Sequence, residues 1–194
     1  MELSLSNFDP RISQTLSRAG SILVRYPGRS FSSVLGSSLR QSVSNSFQKD
    51  NMTTEFMLQG HISSSVKRCL SSNYDTLLVA QDSTYYNLSG HKKMEGLCTL
   101  QGKILGSVQH NVLAMSPTGC PLGLLYQHNW TRGGEGSSLY ACESDKWTSG
   151  LQSVNQHLGN CGKQVVLIQD RESDILSFMA SPRCKNIDLL LRVY

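Results

Sequence analysis

Thr76-Leu77-Leu78-Val79-Ala80-Gln81-Asp82 and Val165-Val166-Leu167-Ile168-Gln169-Asp170 are the two stretches on which the fold turns. Each is a short, unbroken apolar run closed by Gln-Asp. An apolar run without alternation predicts a strand buried on both faces, as in a parallel sheet. In open α/β sheets, sites lie beyond the carboxyl ends of the strands, and both aspartates are predicted to terminate their strands there. Neighbouring strands are about 4.8 Å apart, and the ions of two-metal sites sit roughly 3.5–4 Å apart. Asp82 and Asp170 are therefore candidate ligands for a pair of divalent ions. Mg²⁺ suits them, because it takes one or two carboxylates and completes its shell with water and phosphate oxygens. An aspartate after a strand also serves as a helix cap or turn residue, and spacing alone leaves that alternative open.

Between the two runs, residues 104–115 read as a strand, Ser116-Pro117-Thr118-Gly119 as a turn and residues 122–126 as a second strand, which predicts an antiparallel hairpin. Residues 143–158 are helix-compatible, residues 173–180 predict a helix and residues 189–193 a last strand. Strand, hairpin, helix, strand, helix, strand matches the core of the ribonuclease-H-like fold, with its first and fourth strands parallel neighbours. Upstream the period changes. Ile12, Leu16, Ala19, Ile22, Leu23 and Tyr26 share one helical face, with Asp9-Pro10 as start and Pro27-Gly28 as stop. Val34, Leu35, Leu39, Val43 and Phe47 repeat that spacing. Phe56, Met57, Ile62, Val66, Cys69 and Leu70 repeat it more weakly, behind a Thr53-Thr54 cap. The predicted organisation is a helical region over 1–72 and an α/β region over 73–194.

The 39% hydrophobic content of these 194 residues supports a packed core. No apolar run approaches the roughly 18 residues of a membrane span, and Met-Glu-Leu-Ser lacks the basic-then-apolar start of a secretory signal. A soluble, intracellular protein is expected. Cys69, Cys98, Cys120, Cys142, Cys161 and Cys184 are scattered, without a Cys-x-x-Cys pair, which predicts reduced and mostly buried thiols. The net charge of +4 sits in the first third: residues 1–68 hold eight Lys and Arg against four acids, and the remainder is balanced. Such an asymmetry suits a DNA-facing helical region, and equally an ordinary solvated helical face.

The residues flanking the aspartates carry a family resemblance. Val79-Ala80-Gln81-Asp82-Ser83-Thr84 resembles the first-aspartate motif of the Asp-Asp-Glu transposases of the insertion-sequence-four family, most closely the subgroup of the kanamycin transposon (transposon five). Gly123-Leu124-Leu125-Tyr126-Gln127 with Trp130-Thr131-Arg132 resembles that subgroup's third strand. Glu143-Ser144-Asp145-Lys146-Trp147 resembles its Glu-Ser-x-Lys-Trp segment, and Asp170-Arg171-Glu172-Ser173-Asp174-Ile175 its second-aspartate motif. Asp9-Pro10-Arg11 and Tyr26-Pro27-Gly28-Arg29-Ser30 fall in order with its DNA-binding domain.

The resemblance implies cut-and-paste DNA transposition by phosphodiester hydrolysis and strand transfer. Asp82 and Asp170 would be the catalytic carboxylates and the ligands of Mg²⁺, with Mn²⁺ as a substitute. Arg11, Arg25, Arg29, Arg40 and Arg192 are the candidate DNA contacts. Glu172 and Asp174 would support the site from the turn. The implied partners are double-stranded DNA at the terminal inverted repeats and a full-length transposase, with no membrane. The implied location is the bacterial cytoplasm, on the nucleoid. The family's third carboxylate lies in a Tyr-x2-Arg-x3-Glu-x6-Lys motif, and no such motif occurs in these 194 residues. Glu135, Glu143 and Glu172 do not replace it, because none is predicted on a helix after the last strand. The expectation is a truncated core that lacks its last catalytic helix, exposes apolar sheet surface and has little activity by itself. The alternative is a DNA-binding module that occupies transposon ends and inhibits.

Overall fold

The computed structural model describes residues 8–91, 93–131 and 143–192. Arg132, Glu135, Cys142 and Val193, which entered the sequence reading, lie outside them. The chain is mixed α/β, with several helices and a curled mixed sheet, and it divides into compact units of residues 1–64 and 65–194.

The first unit is helical: α1 (Pro10–Arg25), α2 (Phe31–Val34), α3 (Ser37–Phe47) and the first part of α4 (Thr54–Ser71). Asp9 caps α1, its side chain accepting from the Arg11 amide at 2.8 Å, and Pro10 takes the first helical position. Thr53 caps the start of α4, accepting from the Phe56 amide at 3.2 Å. Ile12, Leu16, Ala19, Leu35, Val43 and Met52 form the unit's core. The predicted apolar face of α1 is thus the buried one.

The second unit begins inside α4. Cys69 joins the sheet's core, and the Arg68 guanidinium donates to the Leu122 carbonyl at 2.6 Å. Lys163 closes the end of α4, its ammonium donating to the carbonyls of Ser72 and Tyr74 at 2.7 Å each, as cations do at helix C-termini. The strands are β1 (Thr76–Asn87), β2 (Cys98–Gln101), β3 (Ile104–Met115), β4 (Pro121–Trp130), β5 (Gln164–Gln169) and β6 (Ile187–Leu191). Their order is β2-β3-β1-β5-β6, with β4 also on β3. β1 pairs antiparallel with β3 and parallel with β5, which pairs parallel with β6. The hairpin and the parallel neighbours stand as the sequence predicts.

Three elements differ from expectation. β1 does not end at Asp82 but runs to Asn87, because β3 continues to pair with it after β5 has stopped. Its last four residues, Thr84 to Asn87, are exposed, so the apolar run marks only the part of β1 that β5 also pairs. β2, short and against the start of β3, had no periodic signal to announce it. The helix expected over 173–180 is instead a 3-10 turn (Arg171–Ser173) and a single turn of helix, α6 (Leu176–Met179), separated by the extended Ile175. The Ser173 hydroxyl donates to the Asp170 carbonyl at 2.8 Å, a local bond that competes with helix propagation.

All the packed helices of this unit feed one core. Trp147, Leu151, Val154 and Leu158 of α5 (Asp145–Leu158), Phe178 of α6 and Cys69 of α4 meet Leu77, Val79, Val112, Leu125, Val165 and Leu167 of the sheet. The register puts Leu78, Ala80, Leu113, Met115, Val166, Ile168 and Leu190 on the opposite face. They are only partly buried, and Leu190 is 55% exposed.

Gly150 of α5 sits against the sheet: a β-carbon there would lie 2.0 Å from Oε1 of Gln81. Gly→Ala in an exposed helix stabilises by about 1 kcal/mol. Gly150→Ala is expected to destabilise by about 1–3 kcal/mol in urea unfolding, and Gln81→Ala in the same chain should remove most of that loss.

Candidate two-aspartate site

Asp82 and Asp170 come to one edge of the sheet. Ala80, Ile168 and Leu190 form one row across β1, β5 and β6. Asp82, Asp170 and Arg192 each follow two residues later, which on extended chain returns a side chain to the same face. Asp170 itself keeps extended backbone, with φ −83° and ψ −177°. All three residues are exposed, on the sheet face that the helices leave uncovered. Asn111 sits across β3 from Asp82 in the same row.

Each carboxylate is held by the chain beside it. The Ser83 amide donates to Oδ1 of Asp82 at 2.8 Å. The Glu172 amide donates to Oδ1 of Asp170 at 2.9 Å. That second bond caps the 3-10 turn, and the Ser173 hydroxyl on the Asp170 carbonyl tightens it further. Among the described residues neither carboxylate has a salt-bridge partner. The pair thus presents carboxylate oxygens to solvent, which fits two of the ligands that an oxygen-loving divalent cation needs. Among the described residues there is no group of three His, Cys, Asp or Glu side chains able to hold a metal.

A polar layer lies beneath, on the core side. His110 is fully buried, with its Nδ1 3.0 Å from the Ser83 hydroxyl and its Nε2 3.1 Å from Oε1 of Gln81. Burial, reinforced by the nearby Lys146 charge, pulls its pKa down to about 3. The ring is therefore neutral at pH 7. Since an amide oxygen only accepts, Nε2 carries the proton and donates to Gln81, and the Ser83 hydroxyl donates to Nδ1. Trp147 packs edge-on against the ring at 4.9 Å between centroids. Lys146, also buried, pairs with Oε2 of Glu172 at 3.2 Å. Gln81 Nε2 and both amide atoms of Gln169 are buried without a partner among the described residues. Each of these glutamines directly precedes one of the aspartates. An unsatisfied buried polar atom costs about 1–3 kcal/mol, and such costs concentrate at working sites.

The sequence does not single out His110. Sequence reasoning missed the Ser83–His110–Gln81 chain because those residues are joined only through the β1–β3 register. Lys146 was visible as part of a motif, but its burial was not.

The other candidates lie in the helical unit. Arg11, Arg25, Arg29 and Arg40 are all exposed, and none has an ion pair among the described residues. They do not form one cluster. Arg11 and Arg25 stand at opposite ends of α1, about 21 Å apart along its axis. Arg25 and Arg29 flank the turn closed by the Arg29 amide on the Tyr26 carbonyl at 3.2 Å. Arg18, absent from the sequence-derived set, lines a cleft of 510 Å³ with Ser37, Ser38 and Ser42 at the start of α3.

No protein-family model matches the chain.

His110 sets a pH dependence. Its folded pKa is depressed below the ordinary histidine value of 6.5, so the unfolded chain binds the extra proton first. Its contribution is complete above about pH 6.5 and is lost as pH falls toward 3. The depressed His157 acts in the same direction. His110→Gln is expected to flatten the acid limb of stability against pH by up to about 1.4 kcal/mol per pH unit. Urea unfolding at several pH values between 3 and 7 checks it, and parallel curves for parent and variant would contradict it.

Proposed function

We propose that the chain is a transposase of the Asp-Asp-Glu type, acting on DNA phosphodiesters, with a ribonuclease-H-like core and a DNA-binding helical region. The observation that carries this reading is the parallel β1–β5 register, which delivers two exposed carboxylates, without a salt-bridge partner among the described residues, to one sheet edge with Arg192 in the next position of the row. The sheet order and the helix α5 between β4 and β5 support the same core.

In this reading Asp82 and Asp170 hold Mg²⁺, or Mn²⁺ in its place, which supplies activation of a water or 3′-hydroxyl and stabilisation of the leaving oxygen. The rest falls to the protein's own groups. Arg192, beside Asp170, neutralises a phosphate of the strand being cut. The turn after Asp170 and the Ser83 amide fix the direction of the two carboxylates. Arg25 and Arg29, around the α1 turn, with Arg40 and Arg11, neutralise duplex phosphates and set the register on the terminal repeat.

A second reading has its own support. The third carboxylate motif is absent from these residues, and the described residues hold no three-ligand cluster. Two carboxylates bind a divalent ion less completely than three, so by themselves these residues should bind transposon ends without cutting them, and compete there with a complete enzyme.

Duplexes carrying the terminal repeats of the encoding element separate the readings. The chain is expected to shift them in native gels with strong salt dependence. Joint replacement of Arg25, Arg29 and Arg40 by Ala should lower the log–log salt slope by about 2–3, near 0.9 per lost phosphate contact. Nicking in Mg²⁺ that Asp82→Asn abolishes would favour catalysis by this chain alone, and its absence would favour the binding module. A salt slope unchanged by the arginine replacements would reject the assigned DNA surface.

A further inference from the structure

Lys146 is 4% exposed, and lysine is almost never so buried unless paired. Its one ion pair among the described residues is with Glu172, a side chain 50% exposed, at 3.2 Å. It lies in the first turn of α5, the end of a helix where a cation is least favoured. Its ammonium is 5.1 Å from the centre of the Trp147 ring, a weak compensation. Stability does not explain such a placement, because desolvating an ammonium costs more than a half-exposed partner returns.

The position of Glu172 explains it. Its backbone amide holds Oδ1 of Asp170, and its carboxylate is held by Lys146, 26 residues earlier in the chain. The turn that aims Asp170 is thus pinned from both sides: by its own cap, and by an ion pair to a helix that is rooted in the core through Trp147 and Leu151. Lys146 also packs close enough to His110 for its charge to help keep that ring neutral, and His110 in turn holds Ser83, whose amide holds Asp82.

We infer that Lys146 is a positioning residue for the two-aspartate site: through Glu172 it fixes the 171–173 turn and so the direction of the Asp170 carboxylate. The inference rests on the reading of Asp82 and Asp170 as cation ligands, and its test keeps the two apart.

The test is Mn²⁺ binding to the full 194-residue chain, read by water-proton relaxation, with a thermal melt of each protein to establish that it is folded. Simple electrostatics and positioning predict opposite signs here. Removing a positive charge near a cation site should tighten Mn²⁺ binding, whereas loss of a positioning residue should weaken it. Lys146→Met is expected to weaken binding about ten-fold, the scale of losses when a ligand's supporting partner is removed. Lys146→Arg should restore binding to near the parent value. Glu172→Gln, which takes the charge from the partner of Lys146, should weaken binding as Lys146→Met does, with no further loss in the double variant. If Glu172 were itself a ligand, it would weaken binding further in the Lys146→Met chain.

Unchanged or tighter binding in Lys146→Met or Glu172→Gln would overturn the inference, even if the melting temperature fell, since that pattern marks a purely structural role. Should Lys146→Met fail to fold, Lys146→Gln, which also removes the charge, is titrated in its place: weaker Mn²⁺ binding supports the inference, and unchanged or tighter binding overturns it. Parent binding that survives joint Asp82→Asn and Asp170→Asn replacement would overturn the cation-site reading and the inference with it.

Discussion

The parallel ladder between β1 and β5, from Thr76 opposite Gln164 to Ala80 opposite Ile168, is the constraint on which the rest depends. Side chains alternate along each strand, so this register fixes two outcomes at once. Leu77, Val79, Val165 and Leu167 go to the face that α5 covers. Asp82 and Asp170 go to the other face, at the same end. A slip of one residue in either strand would bury one of these carboxylates and expose an apolar row. The buried rows therefore enforce the site, although no core residue belongs to it.

The region where core meets site is where the protein departs from cheap packing. Gln81, His110, Lys146 and Gln169 are all buried within a few residues of the two aspartates. His110 is satisfied on both nitrogens, and Gly150 is reduced to a hydrogen so that Gln81 can reach it. Gln169 is not satisfied among the described residues. An apolar layer of the same volume would be more stable, so the polar layer is best understood through what it supports: the backbone amides of Ser83 and Glu172 that carry the carboxylates.

Much of this was legible in the sequence, and the limits of what was legible have physical causes. The apolar runs at 76–80 and 165–168 announced the central strands, although burial alternates along them: Leu77, Val79, Val165 and Leu167 are fully buried while Leu78, Ala80, Val166 and Ile168 are only partly so, one face rather than both being covered. The face of α1 was readable because one stripe of it is buried, whereas the segment of α5 was legible only as helix-compatible. The run at 76–80 did not show that β1 continues to Asn87, since those later residues lie outside the apolar run and are held by pairing with β3. The split helix after Asp170 turned on one serine hydroxyl bonding backwards. The two aspartates could be singled out, with a turn or cap role as the alternative, while His110 and Lys146 could not. Their roles exist only in the pairing of β1 with β3 and of α5 with the 171–173 turn, which no periodicity encodes.

The central claim is that Asp82 and Asp170 together form one cation site. Iron-directed cleavage tests it most directly. Fe²⁺ placed at the site with ascorbate and peroxide generates radicals that cut the nearby backbone. The account predicts fragments ending near residues 82 and 170 in the same sample, suppressed by Mg²⁺ and lost together when either aspartate becomes asparagine. Cleavage at only one of the two positions, or at both irrespective of either replacement, would contradict it.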